Sequence, residues 1–177
     1  MGCGGSKGAV HDIVICGLSN AGKTTLIKRL AHQDKDLPQL ESVPTIGLNT
    51  EKIVLENTSF NLLDMSGAKP FRGHWRSYFP SASIIVFVID ASDYENLSDA
   101  LQTLREHVLS IDSSKGKPLL ILANKNDKKG SLSADQISRH LSSVMGTTSE
   151  RQYLIVSSSG VTGNGVEKII QFLLQGR

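Results

Sequence analysis

The sequence has few of the features that mark secreted, membrane-spanning or nucleic-acid-binding chains. Two cysteines in 177 residues are too few for a disulfide framework, and Cys3 and Cys16 lack the spacing of a metal site. The longest apolar run, Ile84 to Ile89, has six residues, whereas a membrane-spanning helix needs about 20. The net charge of +2 is too small to favour nucleic acid as a partner. The composition therefore predicts an intracellular, globular chain, which we expect to be a monomer.

The first ten residues are rich in glycine and lack the apolar stretch of a secretory signal. We interpret residues 1–10 as a flexible arm and residues 11–177 as one globular domain.

Short runs rich in β-branched residues alternate with stretches of helical spacing, which predicts parallel βαβ units. The predicted strands are Asp12–Cys16, Leu48–Leu55, Phe60–Asp64, Ile84–Asp90, Leu119–Ala123 and Tyr153–Val156. The predicted helices are Thr25–Ala31, Tyr94–Ser110, one that begins at the capping box of Ser133 and Gln136, and Gly165–Gln175. Only the polar residues Glu56 to Ser59 separate the second and third strands, so these two should form an antiparallel hairpin. The predicted fold class is therefore α/β, with a mostly parallel six-stranded sheet, one antiparallel edge hairpin and helices on both faces.

A phosphate-binding motif directly follows the first predicted strand. Residues Gly17 to Thr24 read G-x-x-x-x-G-K-T before a helix, the P-loop pattern in its required context. Gly17 and Gly22 allow main-chain N–H groups to converge on a phosphate, and the helix N-terminus adds partial positive charge. Lys23 is expected to reach the β- and γ-phosphates, and the Thr24 hydroxyl to ligate Mg²⁺. The remaining predicted phosphate-site residues are Asn20, Ala21 and Thr25.

The base is expected to bind at the end of the fifth strand, where the chain reads Asn124-Lys125-Asn126-Asp127. The Asp127 carboxylate can accept from N1–H and the N2 amino group of guanine, whereas adenine offers no such donor pair. After the last strand, the stretch Ser157-Ser158-Ser159-Gly160 could turn main-chain N–H groups toward the guanine O6, with Ser157 and Ser158 as the predicted binding residues. A small ATP-using kinase is the alternative, but it would leave Asn124 to Asp127 unexplained.

Two further loops have the residues of a nucleotide switch. Thr45 would complete the Mg²⁺ shell, Asp64 would hold a metal-bound water, and the Gly67 N–H would contact the γ-phosphate. These assignments make Thr24, Thr45 and Asp64 the predicted metal residues, and GTP or GDP with Mg²⁺ the predicted cofactors.

With these elements in order, the chain resembles a small GTPase of the ADP-ribosylation-factor-like family over residues 11–175. The marks are Pro44-Thr45-Ile46-Gly47, the short hairpin, and Phe71-Arg72-x-x-Trp75-Arg76-x-Tyr78-Phe79. The tetrapeptide Asp64-Met65-Ser66-Gly67 resembles the sequence at this position in the ciliary, Bardet–Biedl-associated branch of the family. The resemblance implies a P-loop NTPase fold, a cycle between GDP and GTP, and an exchange factor, an activating protein and effectors as partners.

The resemblance also implies catalytic roles for Lys23 and Thr45, but the position of the family's water-orienting glutamine is Ala68. Because a methyl group cannot orient water, we expect slow hydrolysis. The alternative is a GTP-dependent binding module or scaffold with negligible turnover.

The N-terminus matches the myristoylation pattern M-G-x-x-x-[ST], with Gly2 as the acceptor and Cys3 as a neighbouring palmitoylation candidate. Two acyl chains anchor a protein stably, whereas one binds only marginally. We therefore expect a peripheral protein on the cytoplasmic face of a membrane, with a ciliary and a Golgi membrane as the candidates.

Overall fold

A computed structural model describes residues 9–32, 44–145 and 151–176 of the chain. In chain order the elements are β1 (Val10–Gly17), α1 (Lys23–Ala31), β2 (Leu48–Leu55), β3 (Thr58–Met65), a 3₁₀ helix (Lys69–Ser77), β4 (Ala82–Asp90), α2 (Leu97–Leu104), a π-helical segment (Arg105–Leu109), a 3₁₀ turn (Asp112–Ser114), β5 (Leu119–Asn124), α3 (Ala134–Met145), β6 (Tyr153–Ser157) and α4 (Val166–Gln175).

The described strands form one six-stranded sheet in the order β2-β3-β1-β4-β5-β6. Every neighbouring pair is parallel except β2 and β3, which are antiparallel. The predicted α/β fold class is thereby confirmed. Because β1, β3, β4, β5 and β6 run the same way, their carboxyl ends lie along one edge of the sheet, where open α/β sheets bind ligands.

The hairpin is tighter than predicted. Leu55 of β2 pairs with Thr58 of β3, so the connection is the two residues Glu56 and Asn57, and Thr58 and Ser59 belong to the strand. Glu56 and Asn57 have φ values of 45° and 66°. Positive φ at both central residues is typical of the two-residue turn whose twist matches that of the strands.

Strand β4 explains how the core is divided. Its side chains alternate between two apolar clusters, one on each face of the sheet. Phe87 packs in the cluster with α2 and α3, which also contains the fully buried Trp75. Val88 packs in the cluster with α1 and α4. Burial on both faces is the reason that the strand is apolar along almost its whole length.

The helices differ from their predicted bounds at several ends. Helix α2 ends at Leu104, where the π-helical segment continues, and α4 begins at Val166 rather than Gly165. Helix α1 begins at Lys23 rather than Thr25. Helix α2 begins at Leu97 because the Asp93 carboxylate accepts hydrogen bonds from the main-chain and side-chain nitrogens of Asn96, which holds a turn instead. The 3₁₀ helix Lys69–Ser77 was not predicted. The capping box at Ser133 and Gln136 is confirmed by hydrogen bonds of 2.8 and 3.2 Å.

No helix in the described ranges combines the length and the apolar character needed to cross a membrane.

Candidate functional site

The loop that follows β1 has unusual backbone just before α1 begins. Asn20 and Gly22 both have left-handed backbone, with φ of 61° and 91°. Turns that include left-handed residues are typical of the nests in which successive N–H groups bind an anion. A Cβ on Gly22 would lie 2.4 Å from Nδ2 of Asn124, so any larger residue would displace the Asn124 amide. We call residues 17–24 the cradle.

Lys23 folds back over the cradle. Its Nζ donates to the carbonyl oxygens of Gly17 at 3.1 Å and Leu18 at 2.7 Å, and the residue is 6% exposed. Burial lowers the pKa of Lys23 to about 8, while the Asp64 carboxylate opposes that shift. The ammonium therefore lies at the cradle with its stem buried, where it can neutralise a bound anion.

A cluster of three oxygen-bearing side chains lies beside the cradle. Oγ1 of Thr24, in the first turn of α1, donates to Oδ2 of Asp64, near the end of β3, at 2.5 Å. Oγ1 of Thr45, in the loop before β2, lies 3.0 Å from the Thr24 Oγ1 and 3.4 Å from the same carboxylate oxygen. The fold thus brings the three predicted metal residues together from three separate parts of the chain.

The chemistry of this cluster fits a magnesium ion. Asp64 is 3% exposed, and burial raises the pKa of its carboxyl above the ordinary value. Its Oδ1 is buried without a hydrogen-bond partner in the described part of the chain. A buried carboxylate with an unused oxygen, next to two hydroxyls, matches the all-oxygen ligands that Mg²⁺ takes, several of them waters.

The segment after β3 packs directly on the cradle. A Cβ on Gly67 would lie 2.4 Å from both the Gly17 oxygen and the Ser19 nitrogen, so only glycine permits this approach. The Gly67 carbonyl accepts from Nε of Arg72 at 3.0 Å. Arg72 in turn donates to Thr103 at 2.9 Å and forms a 3.5 Å ion pair with Asp99. Arg72 thereby connects Gly67 to α2.

Ala68 lies next to Gly67 and is partly exposed. Its main-chain N–H donates to Oγ of Ser66 at 3.4 Å, and its methyl group offers no hydrogen-bonding atom. The neighbouring Trp75 is fully buried and donates to the Ser66 carbonyl at 2.9 Å. This tryptophan anchors the segment while the position of the expected glutamine stays without a polar side chain.

Asn124 joins the cradle to the far end of the site. Its Nδ2 donates to the Ala21 carbonyl at 2.8 Å, and its Oδ1 accepts from Oγ of Ser158 at 3.2 Å. All three residues are almost fully buried. The amide of Asn124 is therefore a structural tie between the loop after β1 and the loop after β6.

Asp127 is exposed at the mouth of the site. One of its carboxylate oxygens, Oδ1, accepts from Oγ of Ser159 at 2.6 Å. Lys125, which lies between Asn124 and Asp127 in the sequence, has left-handed backbone with φ of 63°. Its Nζ forms an ion pair of 2.6 Å with Asp90 at the end of β4. These contacts orient the exposed Asp127 carboxylate, and a carboxylate can accept from a ligand that carries two donors.

The serine loop after β6 differs in detail from the prediction. The Ser157 hydroxyl accepts from the Ala134 N–H at 2.8 Å and so is used to cap α3; a main-chain role for Ser157 stays a prediction. The Ser158 N–H donates to the Ala123 carbonyl at 2.8 Å, so it is not turned toward the guanine O6 as predicted. Two side-chain roles were not predicted: Ser159 holds Asp127, and Asp90 holds Lys125. Their sequence signals were weak, because serine and aspartate are common in loops for turn formation alone.

The other predicted residues are distributed as follows. Thr25 lies in the first turn of α1, where its Cγ2 would be 3.2 Å from a Cβ on Gly160. Gly2 and Cys3 lie outside the described residues, so the lipidation sites stay predictions.

Comparison with known proteins gives consistent matches. The sequence profile of the ADP-ribosylation factor family matches residues 5–176. The chain is 36% identical over 165 residues to ADP-ribosylation factor-like protein 6 of Caenorhabditis elegans, covering 92% of this chain and 84% of that protein. It is 34% identical over 163 residues to ADP-ribosylation factor-like protein 2 of Arabidopsis thaliana, covering 92% and 85%.

A solved structure is also similar. It is the Arl6 BBS3 small GTPase of Trypanosoma brucei with the bound nucleotide analogue GppNp, with a TM-score of 0.78 and 28% identity. The match covers 95% of this chain and 98% of that one.

Proposed function

Because the chain belongs to the ADP-ribosylation factor family of small GTPases, we propose that it is a switch that alternates between GDP-bound and GTP-bound states. The observation that carries this proposal is the meeting of Thr24, Thr45 and Asp64. Thr45 belongs to a separate loop, and a γ-phosphate with its Mg²⁺ stabilises such a loop at the cradle. Loss of that phosphate would remove this support, while the hydrogen bonds of Thr45 to Thr24 and Asp64 would remain.

The phosphate end of the site has the groups that this role requires. The cradle N–H groups and the α1 N-terminus bind the phosphates, and Lys23 adds a positive charge over them. Thr24 and Thr45 are the proposed ligands of Mg²⁺, and Asp64 holds a water of its shell. An ion held by these side chains would supply positive charge against the bound phosphates.

The base end is proposed to select guanine through Asp127. Its carboxylate accepts from the two adjacent donors of guanine, and the hydrogen bond from Ser159 supports its orientation. Lys125 donates a hydrogen bond to Asp90 at the end of β4, and Asn124 donates one to Ala21 of the cradle.

The decisive experiment exchanges the base. Asp127→Asn should weaken GDP binding strongly and improve binding of xanthosine diphosphate, whose carbonyl at C2 replaces the amino donor. Both affinities are measured by displacement of a fluorescent nucleotide. Asp135→Asn, an exposed aspartate on α3, is the matched control and should bind GDP like the unaltered protein. Retained guanine selectivity in Asp127→Asn would contradict the base assignment.

Hydrolysis is proposed to be slow because Ala68 offers no amide to orient the attacking water. A switch that resets itself slowly and a GTP-dependent scaffold with negligible turnover differ only in this rate. Phosphate release from a preformed GTP complex of the purified protein separates them. A complex that still contains only GTP after many hours favours the scaffold, whereas measurable release favours the switch.

The proposed partners include a membrane and proteins that read the switch. Acylation at Gly2 and Cys3 would hold the chain on the cytoplasmic face of a membrane, and the similarity to the Arl6 proteins favours a ciliary membrane over a Golgi one. Ile46, next to Thr45, is 82% exposed and is a candidate contact for effectors that recognise the GTP state. The exchange factor and the activating protein are expected to bind the same loops.

A labelling experiment tests the membrane anchor. A myristate analogue should be incorporated into the full chain and lost in Gly2→Ala, and the variant should move from the membrane fraction to the supernatant. Label that persists in Gly2→Ala would place the anchor elsewhere.

A further inference from the structure

Arg29 of α1 contacts a loop that is remote in sequence. Its Nε donates to the Gly160 carbonyl at 3.0 Å, and its second terminal nitrogen donates to the carbonyl of Val161. These partners are 131 and 132 residues away along the chain. One planar guanidinium therefore holds two successive carbonyls of the loop after β6.

The same loop lies tightly against the first turns of α1. A Cβ built on Gly160 would be 3.0 Å from the Leu26 nitrogen and 3.2 Å from the Thr25 carbonyl carbon. The stem of Arg29 continues along the loop, since its Cδ lies 3.8 Å from a Cβ built on Gly163. The main chain of the loop at Gly160 thus packs on the main chain of α1, and the Arg29 side chain stabilises this contact through its hydrogen bonds.

The loop leads directly to the carboxylate proposed to recognise guanine. Ser159, which precedes Gly160, donates to Asp127 and also accepts from the Thr162 N–H at 3.0 Å. The Gly163 N–H donates to the Ser159 carbonyl at 2.9 Å. A shift of Gly160 and Val161 away from α1 would therefore displace Ser159 and, through it, Asp127.

We infer that Arg29 is a positioning residue that fixes the loop of residues 158–161 under the guanine base and so sets how long a guanine nucleotide stays bound. This inference rests on the proposed function. Lysine cannot replace arginine fully, because one ammonium does not match two carbonyls with the fixed geometry of a guanidinium. Since the contact lies at the base end, its loss should affect GDP and GTP alike.

The test measures dissociation of fluorescent GDP and of a fluorescent, non-hydrolysable GTP analogue from the full chain. Loss of charge-assisted hydrogen bonds in Arg29→Met should speed the release of both by roughly 10-fold or more, with association rates and the ratio of the two affinities unchanged. Arg29→Lys should recover part of the loss. Lys168→Met, which removes an exposed cation on α4, is the control and should release nucleotide at the original rate.

Each outcome decides the inference. Equal release from Arg29→Met and the unaltered protein would overturn it, as would an effect confined to the GTP analogue, which would locate the action of Arg29 at the switch loops. If Arg29→Met does not fold, Arg29→Lys alone decides: faster release of both nucleotides supports the role, and unchanged release contradicts it. Failure of the unaltered chain to bind GDP would instead refute the proposed function.

Discussion

Replacing Asn124 with alanine tests whether the two ends of the site form one unit. The Asn124 side chain makes one hydrogen bond to the loop after β1 and one to the loop after β6, at 2.8 and 3.2 Å. Alanine leaves the Ala21 carbonyl and the Ser158 hydroxyl without these partners, in places where both residues are at most 2% exposed. Each unsatisfied buried group costs about 1–3 kcal/mol, so the loss of partners for two groups should lower the free energy of unfolding by roughly 2–6 kcal/mol.

The assay is urea unfolding at several GDP concentrations, extrapolated to zero nucleotide. The extrapolation is needed because bound GDP stabilises the folded chain through its own affinity, which the substitution also changes. The control Asn49→Ala removes an exposed asparagine of β2 and should change stability by no more than about 0.5 kcal/mol. A loss below that limit in Asn124→Ala would refute the idea that this amide joins the two loops.

Three further predictions concern the remaining features. Ala68→Gln should raise the rate of phosphate release from the GTP complex on the order of 10-fold or more, because the amide can orient the attacking water; an unchanged rate in a single-turnover assay would count against that reason. Arg72→Met should weaken binding of a GTP analogue by about 10-fold while GDP binding changes little, since Arg72 holds the carbonyl of Gly67, the predicted γ-phosphate contact. An equal loss of affinity for GDP and for the GTP analogue in a displacement titration would contradict this reason. Cys16 should resist thiol reagents at pH 8 in a Cys3→Ser chain, because burial raises the pKa of Cys16 to about 12 and leaves a thiolate fraction of about 10⁻⁴; rapid labelling of the folded protein would be the contrary result.

Much of the fold was predictable because its signals are local. Strand β4 is apolar along almost its whole length, so only a position between two covered faces suits it. The cradle was predictable because its glycines and Lys23 are required at fixed spacing within eight residues. The meeting of Thr24 with Asp64 was expected from their predicted metal roles, and the structure produces it because β1 and β3 are neighbours that end at the same edge of the sheet.

The parts that could not be predicted depend on contacts between distant residues or on unusual backbone. The segment Lys69–Ser77 contains a proline and a glycine, which are poor helix formers, and its 3₁₀ helix is stabilised by burial of Trp75. Glu56 adopts a left-handed φ that its residue type does not favour, so the length of the hairpin turn was overestimated. The hydrogen bond from Ser159 to Asp127 joins two loops that no periodic pattern connects.

The amide of Asn124 has a consequence for how a nucleotide leaves. It joins the loop after β1, at the phosphate end, to the loop after β6, at the base end. Neither loop can therefore move outward alone without breaking a hydrogen bond to Asn124. A protein that displaces the loop at Ala21 would therefore also displace Ser158, because the Asn124 side chain is hydrogen-bonded to both. Ejection of the ligand would then be a concerted event, governed by one barrier rather than by two successive ones.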